Sequence, residues 1–267
     1  MNTKKPLVLA TNDDGVESGF LRALVTELAK VFDVVTCAPD GERSWIGHAI
    51  SRNAKLRPKK VADFPSKAFS LNGTPADCVN FACGHLLEKE PDLVVSGINL
   101  GYNVTLPMIL SSGTVGAALE GALLGHRAIA ASLALPADQF EEIRESCGRA
   151  SGKIKKSLLN SAATCAAYAR QVIDSPMMEG LGVHNLNFPP DFDGKSQPVP
   201  TFASPLRLGS LFDKAEKGGH YQLVYRTEWL ERASPEAGSD LWALEEGMVS
   251  VSRLDFSELS GKRYLEP

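Results

Sequence analysis

Two adjacent carboxylates, Asp13 and Asp14, follow directly on a short apolar run in the stretch L-V-L-A-T-N-D-D-G, residues 7–15. Neighbouring carboxylates repel each other, so solvent or a cation has to compensate them. An apolar run without alternation suits a strand buried on both faces. In open parallel sheets, ligands bind at the loops that leave the carboxyl ends of the strands. The same residues also suit a plain polar turn, with Asp14 and Gly15 serving the backbone.

Two later stretches bear on that choice. A-P-D-G-E-R-S-W-I-G-H, residues 38–48, is a loop broken by Pro39 and Gly41. Its Ser44 offers a hydroxyl oxygen to a hard cation. Arg43 suits a phosphate, or equally an ion pair with Asp40 or Glu42. His48 suits a proton donor, or a hydrogen bond within the loop. After D-L-V-V-S-G, residues 92–97, Asn99 is expected just past a strand end, where its amide oxygen could complete a metal site. Ser111, Ser112, Gly113 and Thr114 then open a small-residue helix, expected over 115–124. That start can cradle a phosphate through backbone amides and hydroxyls, or act as an ordinary cap. Asp13, Asp14, Ser44 and Asn99 form an all-oxygen set, which points to Mg²⁺, Mn²⁺ or Ca²⁺ rather than structural zinc. A hard cation beside a phosphate cradle suits metal-assisted phosphoryl chemistry. This requires three loops to share one sheet edge.

The intervening elements are expected to supply that edge. Ser18 caps a helix over 19–30 whose Leu21, Leu24, Val25 and Leu28 share one face. Val34–Ala38 reads as a second buried strand, so strand, helix and strand begin a parallel sheet. No G-x-G-x-x-G follows the first strand and no P-loop motif occurs. Residues 49–71 read as short strands around a lysine-rich edge. Thr74, Pro75 and Asp77 make a strong helix start, for a helix to about Leu87. Arg127–Leu133 and Val183–Phe188 read as strands, and Leu158–Ile173 as a helix. Residues 136–156 read as an amphipathic or loosely packed segment, and 189–205 as a proline-rich linker or arm. Tyr221–Arg226 and Leu241–Leu244 resemble hairpin strands, and Val249–Leu254 gives a last strand.

The totals fit this reading. A chain of 267 residues with 43% hydrophobic and 22% charged residues is an ordinary globular protein, long enough for one main domain and an appendage. A net charge of −4 argues against a nucleic-acid polymer as partner and favours no membrane surface. The five scattered cysteines suggest neither a disulfide framework nor a Cys-x-x-Cys zinc site. No run of about 18 apolar residues suggests a membrane span. Without a signal-peptide pattern, a reducing cytoplasm is the expected location.

L-A-T-N-D-D-G, A-P-D-G-E-R-S-W-I-G-H, L-N-G-T-P-A-D-C-V, V-V-S-G-I-N-L-G and S-G-T-V-G-A-A, in this order, resemble the motifs of the SurE family of metal-dependent nucleotidases. D-L-W-A-L-E-E-G-M-V-S-V-S-R-L resembles that family's final strand. The resemblance implies a Rossmann-like α/β core: a mostly parallel sheet with helices on both faces, over residues 1–190. It implies that residues 191–267 form a C-terminal β-hairpin arm, used in oligomerisation, and a final strand completing the core. It implies a homodimer or homotetramer, and hydrolysis of nucleoside 5′- and 3′-monophosphates, with short polyphosphate cleaved by some members. The implied metal ligands are Asp13, Asp14, Ser44 and Asn99. The chain departs from the pattern at Trp45 and Ile46, where small residues are usual, and at T-L-P-M-I-L-S, residues 105–111. Both border the expected pocket, so they bear on substrate choice more than on the reaction. Trp45 suits stacking on a base, or packing at a rim.

The combined reading is a metal-dependent phosphomonoesterase. Asp13 and Asp14 hold the metal and one accepts a proton from water. Ser44 and Asn99 complete the coordination or touch the phosphate. Arg43, Ser112, Gly113 and Thr114 bind the phosphate, and His48 protonates the leaving oxygen. The alternatives are a nucleotide- or phosphate-binding regulator without turnover, and a nicotinamide-dependent oxidoreductase, which the missing glycine fingerprint disfavours.

Overall fold

The computed structural model describes residues 5–177, 181–215, 218–224 and 234–259. In chain order the elements are β1 (Leu7–Thr11), α1 (Gly19–Val31), β2 (Asp33–Pro39), β3 (Pro58–Val61), β4 (Lys67–Leu71) and α2 (Pro75–Phe81). A wider helical turn, Ala82–Leu86, extends α2. There follow β5 (Leu93–Leu100), α3 (Leu106–Ser111), α4 (Gly113–Leu123), β6 (Arg127–Leu133), α5 (Ala137–Glu145), α6 (Gly152–Asp174) and β7 (Gly182–Phe188). The last elements among the described residues are β8 (Val199–Thr201), β9 (Phe212–Lys214), β10 (Tyr221–Leu223), α7 (Asp240–Glu245), β11 (Ser250–Asp255) and a 3₁₀ turn at Ser257–Leu259.

Nine strands form one sheet in the order β3-β4-β2-β1-β5-β6-β7-β11-β8. From β4 to β7 every neighbouring pair is parallel, while β3 and β11 join antiparallel. Every residue of β1 and of β5 is buried, because helices cover both faces of the sheet. On one face α1 and α6 pack around Val8, Ala10, Val95 and Ile129; on the other, Leu9, Cys37 and Val94 meet α2 and α4. The expected Rossmann-like α/β architecture is therefore present.

The helix starts follow their caps. Ser18 accepts a hydrogen bond from Phe20 N and starts α1, whose Phe20, Leu21, Leu24, Val25 and Leu28 are all buried. Burying five such side chains stabilises the helix on the sheet by roughly 10 kcal/mol. Thr74 and Asp77 form a reciprocal capping box at α2 with Pro75 in the first turn.

Strand order matters for function. From β1 the chain moves to β2 and β4 on one side and returns to β5 on the other. The carboxyl ends of β1 and β5 thus flank the switch point, where the parting connections leave a crevice.

Several expectations are corrected. Asn99 lies inside β5, not beyond it: the strand resumes after a break in register between Ser96 and Asn99. Gly113 and Thr114 are the first residues of α4, which Ser112 caps through Val115 N. Leu241–Leu244 belongs to the helix α7, because Ser239 caps it by accepting from Trp242 N. The 189–205 stretch is not only an arm, since its Val199–Thr201 adds an edge strand beside β11. Tyr221–Leu223 pairs antiparallel with Phe212–Lys214 as a small separate hairpin; residues 225 and 226 lie outside the described residues.

The break in β5 depends on Gly97. Its φ is +131°, and a Cβ there would lie 2.2 Å from the Ala131 carbonyl oxygen. Both the backbone and the neighbouring strand exclude a side chain. Gly97→Ala should cost about 3–5 kcal/mol, which for a domain of this size lowers the thermal midpoint by roughly 10 °C or more. Thermal unfolding followed by circular dichroism measures it; an unchanged midpoint would contradict the close approach.

Candidate active site

Asp13 and Asp14 begin the loop after β1, at the switch point. Asp13 is only 4% exposed, and Asp14 is half-buried. Thr114 Oγ1, from the first turn of α4, donates to Asp13 Oδ1 at 2.5 Å. The amide of Leu100, at the end of β5, donates to Asp14 Oδ2 at 3.1 Å. Each carboxylate is thus tied to a different neighbouring element.

α4 approaches so closely because its first residue is Gly113. A Cβ at this position would lie 2.9 Å from Asp13 Cβ and 3.0 Å from its Oδ2. The positive end of α4 therefore faces Asp13.

These contacts do not compensate the burial. Desolvation raises the Asp13 carboxyl to about 6, against the hydrogen bond from Thr114; the Glu42 charge adds to the rise. Asp14 is pushed well above the usual carboxylate range, by burial first and then by the Asp13 charge. The pair is a deficit of positive charge.

The loop after β2 closes over this pair. Arg43 N donates to the Asp13 carbonyl at 2.7 Å, and Gly47 N to the Ser111 carbonyl at 2.9 Å. Ser44 Oγ donates to Glu42 Oε1 at 2.8 Å, and Arg144 Nη1 of α5 donates to Glu42 Oε2 at 3.1 Å. The Ser44 proton is thereby directed at Glu42, which leaves the oxygen's lone pairs for another partner. Asn99 donates its amide nitrogen to the Gly101 carbonyl at 3.1 Å, leaving the amide oxygen as the available end.

A cavity of about 550 Å³ opens here, and Asp13, Ser44, Asn99 and Ser112 line it. Of the other expected residues, Asp14, Gly113 and Thr114 are joined to this group through the contacts above. Thr114 is fully buried and its hydroxyl is engaged with Asp13, so it supports the carboxylate from behind.

Arg43 and His48 are arranged differently. The Arg43 guanidinium pairs with Asp40 at 3.0 Å and bonds the Glu42 carbonyl, outside the cavity's lining. His48 Nε2 bonds Glu120 Oε2 at 2.6 Å, and Asn80 Nδ2 of α2 bonds the other oxygen of Glu120 at 2.7 Å. His48 is likewise not among the lining residues.

Sequence reasoning gave no role to several residues around the cavity: Tyr102, Asn103, Phe140 and Arg144. Asn103 is locked by Asn187 Oδ1, which accepts from its amide at 2.8 Å, and by Asn185 Nδ2, which donates to its carbonyl at 2.8 Å. Two asparagines at alternate positions in the apolar strand β7 were the signal available for that support. A second cavity, about 250 Å³ between Arg127, Tyr168 and His184 near the amino ends of β6 and β7, holds none of the expected residues.

Among the described residues no three His, Cys, Asp or Glu side chains form a metal cluster. Two carboxylates supplemented by an amide and a hydroxyl oxygen suit a hard divalent ion, and the uncompensated Asp13–Asp14 charge calls for one.

Fold and site define a doubly wound α/β protein with an acidic ligand cleft at the switch point of its sheet. The chain belongs to the SurE family, whose model, described as survival protein SurE, matches residues 8–204. It is 34% identical over 251 residues to 5′-nucleotidase SurE of Citrifermentans bemidjiense, covering 92% of each chain. It is 37% identical over 252 residues to 5′-nucleotidase SurE of Syntrophus aciditrophicus, covering 91% of this chain and 86% of that one. The crystal structure of SurE protein from Aquifex aeolicus superposes with a TM-score of 0.73 at 29% identity, covering 97% of this chain and 98% of that one.

The raised Asp13 carboxyl fixes the sign of a pH dependence. Its value in the folded state, about 6, exceeds the ordinary 3.8, so the folded chain holds the proton more tightly than the unfolded one. Metal-free protein should therefore lose stability as pH rises from about 4 through 6. Asp13→Asn, free of that charge, should be more stable than wild type by about 1–3 kcal/mol at pH 8. Chelator-treated samples compared by denaturant unfolding should show the gap closing towards pH 4. A variant less stable than wild type at pH 8 would contradict the charge deficit.

Proposed function

We propose that this protein is a metal-dependent phosphomonoesterase that hydrolyses nucleoside 5′- and 3′-monophosphates to nucleoside and phosphate, with short polyphosphate as a further substrate. The observation that carries the reading is the Asp13–Asp14 pair at the switch point, Asp13 buried and Asp14 half-buried, with the amino end of α4 against Asp13. The two relatives named 5′-nucleotidase SurE, matched over most of their length, support the same reaction.

Asp13, Asp14, Ser44 and Asn99 would hold the ion, with Mg²⁺ or Mn²⁺ as the working metal and Ca²⁺ as a further ion the oxygen set accepts. When bound, such an ion polarises phosphoryl oxygens and lowers the pKa of a water. The protein's own groups do the rest. Thr114 fixes the Asp13 carboxylate, and the Leu100 amide fixes Asp14. Ser112 and the amino end of α4 face the phosphate. Water attacks phosphorus and one of the two aspartates accepts its proton; the bond from phosphorus to the ester oxygen breaks, and that oxygen takes a proton from solvent to leave as the nucleoside hydroxyl.

The Arg43 guanidinium is engaged by Asp40 and His48 Nε2 by Glu120, and neither residue lines the cleft. We therefore assign His48 a positioning role, clamping its loop to α4 and α2 through Glu120. The reading includes a cytoplasmic location, and no helix among the described residues is long and apolar enough to cross a membrane. It also includes a homodimer or homotetramer assembled through the β9–β10 hairpin arm of residues 191–267.

Two outcomes test the assignment. Phosphate release from 5′- and 3′-nucleoside monophosphates should require Mg²⁺ or Mn²⁺, stop with EDTA, and fall at least about 1,000-fold in Asp14→Asn, as expected when a group essential to the chemistry is removed. Nucleotide binding by wild type without phosphate release under any metal would favour the regulatory reading. His48→Ala should lower the thermal midpoint by several degrees, through loss of a part-buried hydrogen bond worth about 1–3 kcal/mol, and keep the shape of the kcat–pH profile. Loss of the alkaline limb of that profile would restore the proton-donor role.

A further inference from the structure

The cleft is larger than phosphate chemistry requires. Its volume of about 550 Å³ falls within the roughly 300–1,000 Å³ of small-molecule sites. The expected polar residues, Asp13, Ser44, Asn99 and Ser112, account for only part of its wall. Three aromatic side chains, Trp45, Tyr102 and Phe140, line the rest together with Leu100, Met108 and Leu135.

The rings come from three separate segments, after β2, after β5 and after β6, so they meet only because those strands end on one edge. Each is half-buried and contributes to the cleft's wall. Gly101, with φ +97°, has no side chain, and a Cβ there would stand 3.3 Å from Phe140 Cε2. The Phe140 ring therefore lies against the backbone that leads into Tyr102.

Trp45 sits at φ +61°, a region costly for a bulky residue, and its loop is pinned on both sides by the Arg43–Asp13 and Gly47–Ser111 backbone bonds. The Arg144–Glu42 ion pair ties α5, and with it Phe140, to the same loop. The three rings thus line the same cavity as Asp13. Rings that served only to pack would be expected inside the core.

We propose that Trp45, Tyr102 and Phe140 form the platform on which the substrate's base stacks, which makes Trp45 and Phe140 specificity-determining residues for a planar nucleobase. This deepens, and rests on, the nucleotidase reading of the cleft. Stacking a base on an aromatic side chain is sequence-tolerant, so the platform selects for the presence of a base more than for its identity.

The test compares AMP with ribose 5-phosphate, which shares the phosphate and sugar and lacks the base. Wild type should prefer AMP in kcat/KM. Trp45→Ala and Phe140→Ala should each reduce the AMP to ribose 5-phosphate ratio by roughly 10–100-fold, while Phe140→Tyr, which keeps a ring, should retain the ratio within about threefold. A ratio unchanged in both alanine variants overturns the platform even if nucleotides are hydrolysed.

Binding separates this from failure of the hydrolytic reading. Calorimetric titration of AMP and of ribose 5-phosphate into Asp13→Asn, with Mg²⁺ present, reads the platform without turnover. Tighter AMP binding that Trp45→Ala removes supports the platform whether or not wild type releases phosphate. Equal binding of the two ligands overturns it.

Discussion

The site depends on one electrostatic constraint: two like charges are taken out of water at the end of a buried strand. β1 has no exposed residue, and Asp13, two residues beyond its end, is itself buried. Thr114 and the Leu100 amide each stabilise one carboxylate, yet desolvation still wins for both. Burial of unpaired charge usually costs several kcal/mol unless a partner ion is supplied. A strand this central would be expected to end in a neutral turn if stability were its sole purpose.

The surrounding elements are arranged to keep that charge close to a ligand. Parting of the chain between β1 and β5 opens the crevice, and Gly97 lets β5 break register so that Asn99 and Leu100 reach its rim. Gly113 removes the side chain that would hold α4 away from Asp13. A chain of contacts, Arg144 to Glu42 to Ser44, then fixes the third loop from outside. A buried polar network, Asn185 and Asn187 around Asn103, supports the remaining wall, and Asp240 of α7 holds Thr105 N and Ser204 N, linking the C-terminal part to that wall. This network ties the wall to several elements at once, while Asn185 Oδ1 and Thr105 Oγ1 within it accept or donate no hydrogen bond.

Much of this was legible in the sequence because local signals and strand order agreed. Ser18 and the Thr74–Asp77 box mark helix starts that do not depend on distant contacts. The buried runs of β1, β2 and β5, alternating with helical stretches, imply a parallel sheet and so a common edge for Asp13, Ser44 and Asn99. What could not be read depends on contacts between distant segments. Ser112, Gly113 and Thr114 look alike as a phosphate cradle, but three-dimensional packing divides them: Ser112 lines the cleft, Gly113 makes room, and Thr114 bonds Asp13. His48 and Glu120 are 72 residues apart, so nothing local reveals their pairing. α5 lies in the stretch that reads as amphipathic or loosely packed, and nothing local shows that it brings Phe140 and Arg144 over the cleft. Leu241–Leu244 alternates like a strand, and the Ser239 cap with its capped turn overrides that pattern.

The most direct measurement is a calorimetric titration of Mn²⁺ into chelator-stripped protein, repeated at pH 6 and pH 9 in buffers of different ionisation enthalpy. About one ion should bind per chain, with proton release at pH 6 because the carboxyl pair has to ionise as the cation binds, and much less release at pH 9. Replacing both aspartates by asparagine should abolish the uptake. Absence of saturable Mn²⁺ binding by wild type, or binding that survives the double replacement, would contradict the claim that the Asp13–Asp14 pair is built to hold a divalent cation.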